Sequence, residues 1–378
     1  MKILWFIENL SLGGLQTQSI NIIKEISVRK NIEVDVLYLN DGPLNEKFKT
    51  VCRKLINLKD FDKKTYQNPI NVIKLLKLYY NFLKLNKYDV IISHGIVSFG
   101  ITSILKKFIS FKHARLLGAP LMDMEPTYEK YFHNILPFHI NLDLAFGFPG
   151  ENIRCKKRYG NKLKNIGFAV DTSLFKPKAK NLNFKIRKKL NINKNDLVIG
   201  WVGRIASNMQ IRHTIALGGE LRKRGVLNFK ILIVGGGDWE SEMADLIRNE
   251  NIVENCICLG WQPMEYVPDL FQVMDIVPLL EKNPAGGSIV REAMACGKLV
   301  ISVDGKNNVQ ASWIKNEDNG ILVSDYNYII ESADVIEDYL KNKSDKYDLI
   351  CKNGLKYAKT KMTFKMQSEI IMKNILND

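Results

Sequence analysis

The sequence predicts an α/β protein of two doubly wound domains. Its 378 residues exceed one ordinary core, and 46% hydrophobic residues are enough to fill two. Short apolar β-type runs alternate with segments of helical spacing, the pattern of mostly parallel sheets. A polar, Lys- and Asn-rich stretch interrupts this alternation once. We therefore predict domains at residues 1–178 and 179–358, with residues 359–378 forming a helix that packs back on the first domain.

The first domain begins with a strand at residues 2–10, a Gly13-Gly14 turn and a helix at residues 15–26. The strands predicted after it lie at 33–39, 89–94, 114–118, 142–146 and 164–170, and the helices at 71–85, 98–109 and 126–136. Strands joined by crossover helices form a parallel sheet.

The second domain repeats the pattern. Its predicted strands lie at 197–202, 229–234, 257–259, 276–279, 299–303 and 320–323, and its helices at 214–223, 239–248, 288–296 and from 347 onward. The result is two Rossmann-like domains. Because ligands of open α/β sheets bind outside the carboxyl ends of the strands, we expect an active site in a central cleft that the two domains face.

The charge of the chain is uneven. The formal charge is +15, of which residues 1–180 carry +14 and the remainder +1. A basic first half should attract an anionic partner such as phospholipid headgroups, a lipid-linked phosphate or nucleic acid. Only 12 of 55 basic residues are Arg, so an AT-rich genome is an alternative source of the Lys excess. We find no nucleic-acid recognition module and expect no nucleic-acid partner.

Targeting and cysteine signals are sparse. No run of 18 apolar residues and no leader pattern is present, so we expect a cytoplasmic protein. The six cysteines form no C-x-x-C pair, which argues against a zinc cage or a disulfide framework. We expect reduced thiols that are mostly buried, with Cys256 and Cys258 packed in a core.

Two glycine turns follow predicted strands and offer backbone N–H groups to an anion. They are Gly13-Gly14 and Gly235-Gly236-Gly237, although any tight β-to-α turn can use glycine. Gly203-Arg204 places a guanidinium just past another strand, where its planar fork could hold a diphosphate.

A third glycine turn, Gly286-Gly287-Ser288, opens a predicted helix that contains Glu292. The helix N-terminus favours a phosphate, and Glu292 could accept hydrogen bonds from a ribose diol. The alternative is an acidic residue that only complements the helix dipole.

These motifs, in this order, resemble the donor-binding half of GT-B glycosyltransferases of glycosyltransferase family 4. The segments that carry the resemblance are Val202-Gly203-Arg204, Leu232-Ile233-Val234-Gly235-Gly236-Gly237, Leu259-Gly260-Trp261, Met274-Asp275-Ile276-Val277-Pro278 and Glu292-Ala293-Met294-Ala295-Cys296-Gly297. The first half adds Gly13-Gly14, Asp89-Val90-Ile91-Ile92-Ser93-His94 and Gly167-Phe168-Ala169-Val170-Asp171.

The resemblance implies the GT-B fold and transfer of a sugar from a nucleotide diphosphate donor, UDP-linked by preference and GDP-linked as the alternative. It also implies retention at the anomeric carbon, no metal and no other cofactor. Arg204 would stabilise the leaving diphosphate. The second domain would bind the donor and the first the acceptor. The implied donor-site residues are Gly13, Gly14, Gly203, Arg204, Gly235, Gly287, Ser288, Ile289 and Glu292.

Three departures from the family pattern fall on this site. Pro284 stands where the family has a Glu that contacts the donor sugar, and Met209 stands where it has a Lys. Arg212 or Arg291 could replace the lost cation. The strand that reads Leu116-Leu117-Gly118 lacks the family's His. His94, on a neighbouring strand, could contact the donor sugar, act as a base for the acceptor, or be a neutral strand-end residue.

Two explanations of these departures are open. In the first, the donor is a deoxy or acetamido sugar that needs no carboxylate at residue 284. In the second, catalysis is lost and the chain is a sugar-nucleotide-binding or scaffold partner of another transferase. We favour the first, because Arg204, the glycine turn and Glu292 are all present.

On the acceptor side, Asp123 or Glu125 could activate a hydroxyl or simply be helix N-terminal acids. We assign Asp60-Phe61-Asp62, which matches a metal motif of another glycosyltransferase architecture, to a solvated loop. Basic amphipathic patterns at 70–88 and 101–115 suit an anionic membrane surface. We therefore expect peripheral attachment at the cytoplasmic face of the inner membrane and a glycan or lipid-linked acceptor, such as a lipopolysaccharide, capsule or O-antigen precursor.

Overall fold

The computed structural model describes residues 1–11, 13–58, 69–117, 141–147, 159–206, 211–281, 288–305, 308, 310–341 and 345–377. The chain divides into two compact units. The first unit is Met1–Phe168 with Phe364–Asp378, and the second is Ala169–Thr363. The chain thus enters the second unit earlier than the expected boundary at residue 178.

The first unit contains seven described strands that form one parallel sheet. They are β1 Lys2–Asn9, β2 Glu33–Asn40, β3 Lys54–Asn57, β4 Val90–His94, β5 Lys112–Leu116, β6 Leu144–Gly147 and β7 Leu163–Asn165. Their order is β3-β2-β1-β4-β5-β6-β7. The order reverses between β1 and β4, which makes the sheet doubly wound.

The second unit contains six described strands, also all parallel. They are β8 Leu197–Val202, β9 Phe229–Val234, β10 Cys256–Cys258, β11 Ile276–Leu279, β12 Leu299–Asp304 and β13 Ile321–Ser324. Their order is β10-β9-β8-β11-β12-β13, which reverses between β8 and β11.

Helices connect the strands in both units. The described helices are α1 Gly14–Ser27, α2 Asn45–Val51, α3 Pro69–Leu85, α4 Ile96–Leu105, α5 Lys180–Lys189, α6 Ile211–Lys223, α7 Glu240–Asn249, α8 Val267–Val273, α9 Ile289–Ala295, α10 Tyr328–Lys341, α11 Asp345–Lys361 and α12 Phe364–Asn377. No described helix combines the length and the hydropathy that crossing a bilayer requires.

The first sheet is covered on both faces. Alternate residues of β1 point to opposite sides, so Trp5 packs with α1 and α12 while Phe6 packs with α3 and α4. The terminal helix α12 buries Ile371 and Met372 in the first of these cores. This double burial explains why β1 is an apolar run.

Two sequence expectations need correction, and one strand was missed. Residues 101–115 are not one amphipathic helix, because α4 ends at Leu105 and Arg115 lies buried on β5. Cys258 is exposed and Cys256 only partly buried, because β10 is an edge strand. The edge strand β3, which is short and begins with Lys54, was not predicted. The predicted helix at 126–136, Cys155 and Asp60-Phe61-Asp62 lie outside the described residues.

Candidate active site

The predicted site residues of the first unit lie where its strand order reverses. Gly13 and Gly14 follow β1, and His94 is the last residue of β4, the neighbouring strand. Helices that leave two such strands depart to opposite faces, so their carboxyl ends leave a crevice that accepts ligands. The first sheet therefore brings these three residues to one edge.

Gly14 has no structural reason to be glycine. It is the first residue of α1, and a Cβ added there would meet nothing within 4 Å. Gly13 is the N-cap with extended backbone at φ −175°, and an added Cβ would meet only the end of the Gln16 side chain. The open space at Gly14 would let a ligand approach the backbone closely.

His94 is buried and bonded through one ring nitrogen. Its Nδ1 lies 2.7 Å from Ser19 Oγ on α1, and that oxygen accepts a hydrogen bond from Trp5 Nε1 at 3.2 Å. Burial, aided by the charge of Arg115, lowers the pKa of His94 to about 3. His94 is therefore neutral at physiological pH.

Glu8 shapes the same edge and was not predicted. Its carboxylate accepts hydrogen bonds from the N–H groups of Val97, at 2.6 Å, and Ser98, at 3.2 Å, at the start of α4. Gly95, at φ +132°, leaves room for it, since a Cβ there would lie 2.2 Å from Glu8 Oε1. An acidic residue near the end of an otherwise apolar strand was the sequence signal that could have identified Glu8.

In the second unit, the predicted residues also gather at the strand-order reversal. Gly203 and Arg204 follow β8, and Ser288 precedes α9, which packs on the neighbouring strand β11. Because both strands are parallel, these positions share the carboxyl edge of the second sheet. The expected phosphate contacts thus lie at the position where such sheets bind ligands.

Arg204 presents its charge outward. Its guanidinium lies 3.6 Å from the carboxylate of Asp238, and the two side chains are 62% and 71% exposed. An ion pair this exposed is weak, so an anionic ligand can compete for the guanidinium. Asp238 ends the Gly235-Gly236-Gly237 turn, and sequence analysis assigned it no role.

The Gly235 turn is explained by close packing of the backbone. Gly235 has φ +132°, and a Cβ there would lie 1.9 Å from Gly203 O. Its N–H already donates to Gly260 O at 2.8 Å, and the N–H of Gly237 donates to Glu240 at 2.8 Å. The turn holds the Gly203 segment in place, and its two bonded N–H groups are engaged within the protein.

Glu292 lies on α9 with its side chain mostly buried. It is 7% exposed, whereas Ser288 at the N-cap is exposed and Ile289 is buried. Burial raises the pKa of the Glu292 carboxyl, while a hydrogen bond with Ser288 and the charge of Arg291 oppose the rise. A ligand hydroxyl that donates to this carboxylate would stabilise its charged form.

Arg212 and Arg291, the two residues that could replace the lost cation, differ in solvent exposure. Arg212 is exposed on α6. Arg291 is 9% exposed, lies 5.9 Å above the ring of Trp313, and has its pKa lowered by burial to about 10. Arg212 is therefore the better placed of the two for a ligand phosphate.

His213 is a further group at this edge that the sequence did not single out. Its Nδ1 bonds to Leu280 O, just beyond β11, and its ring lies 5.3 Å from that of Tyr328. Burial lowers its pKa. Since Nδ1 donates to a carbonyl, Nε2 of the neutral ring is an acceptor.

Several predicted positions lie outside the described residues. They are Gly287, Pro284, Met209, Asp123 and Glu125. Within the part of the chain that is described, no three His, Cys, Asp or Glu side chains are grouped as a metal site requires.

Comparison with known proteins finds similar sequences and structures. Residues 183–357 match the family model of glycosyl transferases group 1. The 2-deoxystreptamine glucosyltransferase of Streptomyces kanamyceticus is 28% identical over 100 residues, which are 26% of each chain. An uncharacterised glycosyltransferase of Methanocaldococcus jannaschii is 28% identical over 177 residues, 42% of this chain and 44% of that protein. The chain therefore spans less than half the length of these curated relatives.

A solved structure matches over the full length. The crystal structure of Anabaena HepE in complex with UDP-glucose superposes with a TM-score of 0.78 and 18% identity, covering 100% of both chains. Two parallel, doubly wound sheets and this match define a protein of the GT-B fold. The residues that match the family model fall within the second unit.

Proposed function

We propose that the protein is a glycosyltransferase that uses a nucleoside diphosphate sugar, UDP-linked by preference. The observation that carries this proposal is the placement of Arg204, Ser288 and Glu292 around the β8–β11 reversal. That crevice of the second sheet offers an exposed cation and, on α9, a buried carboxylate. These groups suit a diphosphate and a ribose diol respectively.

The relatives support the same class of donor. The matching crystal structure of HepE holds UDP-glucose, and the Streptomyces relative is named as a glucosyltransferase. The departure at Pro284 favours a donor sugar with fewer or modified hydroxyls, because a carboxylate that such a sugar leaves without a hydroxyl partner would weaken binding.

The reaction requires little acid–base chemistry from the protein. The bond between the anomeric carbon and the β-phosphate oxygen breaks, and an acceptor hydroxyl oxygen bonds to that carbon. The hydroxyl proton passes to the departing diphosphate. Arg204 would stabilise the negative charge that develops on this leaving group. We propose that transfer retains the anomeric configuration and needs no metal ion.

We further propose that the acceptor is a lipid-linked glycan reached at the cytoplasmic face of the inner membrane. The apolar stripe first assigned to the membrane, Leu75, Tyr79 and Leu83 on α3, lies buried against the sheet. The same helix nevertheless exposes a second apolar set, with Leu85 85% exposed. The exposed set is Ile73, Leu78 and Leu85, interleaved with Lys74, Lys77 and Lys84.

A thermal-shift panel of nucleoside diphosphates and nucleotide sugars tests the donor proposal. Binding raises the melting temperature by mass action. We expect one nucleotide series to stabilise the wild type, with the shift reduced in Arg204→Ala and Glu292→Ala. A donor that binds is then assayed for turnover with lipid-linked acceptors in EDTA. Absence of any shift would favour the scaffold alternative, and turnover abolished by EDTA would contradict metal independence.

A further inference from the structure

Three buried side chains from three elements of the first unit form a hydrogen-bonded chain. Trp5 on β1 donates through Nε1 to Ser19 Oγ on α1 at 3.2 Å. Ser19 Oγ lies 2.7 Å from Nδ1 of His94 on β4. Trp5 and Ser19 are fully buried and His94 is 4% exposed, so water does not compete for these bonds.

The chemistry of the first donor sets the direction of the chain. An indole N–H can only donate, so Ser19 Oγ accepts from Trp5. The Ser19 hydroxyl hydrogen is then available to His94 Nδ1, and among the described residues Ser19 Oγ has no other acceptor. In this arrangement Nδ1 of the imidazole is the acceptor, and a neutral ring must carry its proton on Nε2.

The second ring nitrogen is buried without a partner. Within the described ranges, His94 Nε2 is closed off from solvent and makes no hydrogen bond. A buried unpaired N–H costs free energy, which a ligand oxygen would recover. His94 ends β4 beside Gly95, at the same edge as Gly14.

We propose that Trp5 and Ser19 are positioning residues that hold His94 as the Nε2–H tautomer, so that His94 donates a hydrogen bond to a sugar oxygen of the bound substrate. The substrate contact rests on the proposed function, but the tautomer does not. His94 thus serves as a hydrogen-bond donor to the substrate and not as a base for the acceptor hydroxyl.

The charged surroundings of His94 agree with this role. Arg115, on the neighbouring strand β5, is the charged group that acts on the ring, and its charge disfavours an imidazolium. Ser19, which bonds to the ring from α1, carries no charge, and neither does Trp5, which bonds to Ser19 from β1. A neutral ring has one N–H, so the identity of the protonated nitrogen decides what the site offers.

Long-range ¹H–¹⁵N correlation spectra of the histidine-labelled full chain read the tautomer directly. The chain has five histidines, and His94→Gln assigns the signal. We expect the wild type to show a protonated Nε2 and an unprotonated Nδ1. We expect Ser19→Ala and Trp5→Phe to shift the tautomer ratio of His94 toward Nδ1–H by at least several fold. Ser19→Thr keeps the hydroxyl and should keep the wild-type ratio.

A matched control is Ser332→Ala, which removes another fully buried helical hydroxyl, in the second unit, and should leave the His94 signals unchanged. A wild-type Nδ1–H tautomer, or unchanged signals in both Ser19→Ala and Trp5→Phe, would overturn the proposal. If a variant does not fold, the wild-type spectrum alone decides the tautomer.

Kinetics test the substrate contact separately. Once a donor and acceptor are known, Ser19→Ala should lower kcat/KM about tenfold, as expected for a lost charge-neutral hydrogen bond. It should have no further effect in a His94→Gln background. Additive losses would contradict positioning through His94. Failure of all nucleotide binding would reject the proposed function and leave the tautomer result standing.

Discussion

The guanidinium of Arg204 lies 3.6 Å from the carboxylate of Asp238, across the loops that follow β8 and β9. Both side chains are mostly exposed, so the pair is weak and easily exchanged. Asp238 pairs with the same guanidinium that we expect to bind the donor diphosphate. A diphosphate that binds Arg204 must therefore displace this carboxylate.

The first prediction follows from that competition. Asp238→Asn should raise the affinity for UDP about two- to fivefold, since a screened surface pair is worth at most about 1 kcal/mol. Arg204→Ala should lower it about 10- to 100-fold, the loss expected for charge-assisted hydrogen bonds. Titration calorimetry measures both. The matched control is Asp245→Asn, at an exposed Asp paired with Arg248, which should leave the affinity for UDP unchanged. Weaker UDP binding by Asp238→Asn would contradict the competition.

The second prediction contrasts two glycines. Gly14→Ala adds a methyl group in open space at a helix start, so stability should stay or rise by up to about 1 kcal/mol. Gly235→Ala should destabilise by about 2 kcal/mol or more, because its Cβ would lie 1.9 Å from a backbone oxygen at φ +132°. Denaturant unfolding measures both changes.

If Gly14 is open for ligand approach, Gly14→Ala should also reduce turnover without loss of stability. The comparison variant is Gly225→Ala, at a positive-φ turn with open space, which should lose stability but keep kcat/KM. Full activity of Gly14→Ala would remove this turn from the site.

The third prediction concerns the carboxylate of Glu292. Burial raises the pKa of the Glu292 carboxyl, which means that the folded state disfavours its charged form. Glu292→Gln removes that buried charge, so the folded state should keep its stability at pH 7. UDP affinity should fall about tenfold, because charged acceptors bond a diol more strongly than amides do. The wild type should prefer UDP to 2′-deoxy-UDP, and the variant should lose that preference. An unchanged preference would assign Glu292 to the helix dipole alone.

The fourth prediction is a pH dependence of stability. Burial lowers the pKa of both His94 and His113 to about 3, with positive neighbours adding to the effect. An unfolded histidine titrates near pH 6.5, so below that pH the unfolded chain binds protons that the folded chain does not. The free energy of unfolding should therefore fall with decreasing pH between about 6.5 and 3, by about 1.4 kcal/mol per pH unit for each histidine.

Urea unfolding at several pH values measures that slope. His113→Gln removes one of the two groups, so the slope of its unfolding free energy against pH should be smaller than that of the wild type by one histidine's share. Equal slopes would show that His113 titrates normally in the folded state.

The fifth prediction concerns the exposed face of α3. The wild type should bind vesicles containing anionic lipid, and raised salt should release it because screening weakens the contribution of Lys74, Lys77 and Lys84. Leu78→Ser combined with Leu85→Ser should weaken binding severalfold. Leu349→Ser, at an exposed leucine of the second unit, is the control. Equal vesicle binding by the wild type and the double variant would contradict a role of this surface in membrane attachment. Binding that does not change with salt concentration would contradict it as well.

The central strands of the second unit lie where the sequence predicts them. The expected bounds of β8, β9 and β11 are those observed, because a strand buried on both faces is an apolar run with sharp ends. The edge strand β3 escaped prediction, since Lys54–Asn57 has one short apolar pair and gains its hydrogen bonds only from β2.

The sequence was less informative about side-chain surroundings. It could name His94, but not its partner Ser19, which lies 75 residues away and becomes a neighbour only when β4 pairs with β1. It offered Arg291 as a phosphate contact, whereas tertiary packing buries that side chain above Trp313. Periodicity predicted the stripe on α3, but only the fold distinguishes the buried face from the exposed one.

Amide hydrogen exchange with and without UDP tests the donor site most directly. We predict that UDP slows exchange in segments that contain Gly203–Ile205 and Ser288–Glu292, at the carboxyl edge of β8 and β11. Segments at the opposite edge, such as the one that contains Asp275 before β11, should be unchanged. Protection confined to the opposite edge, or absent at saturating UDP, would contradict a donor site at this crevice.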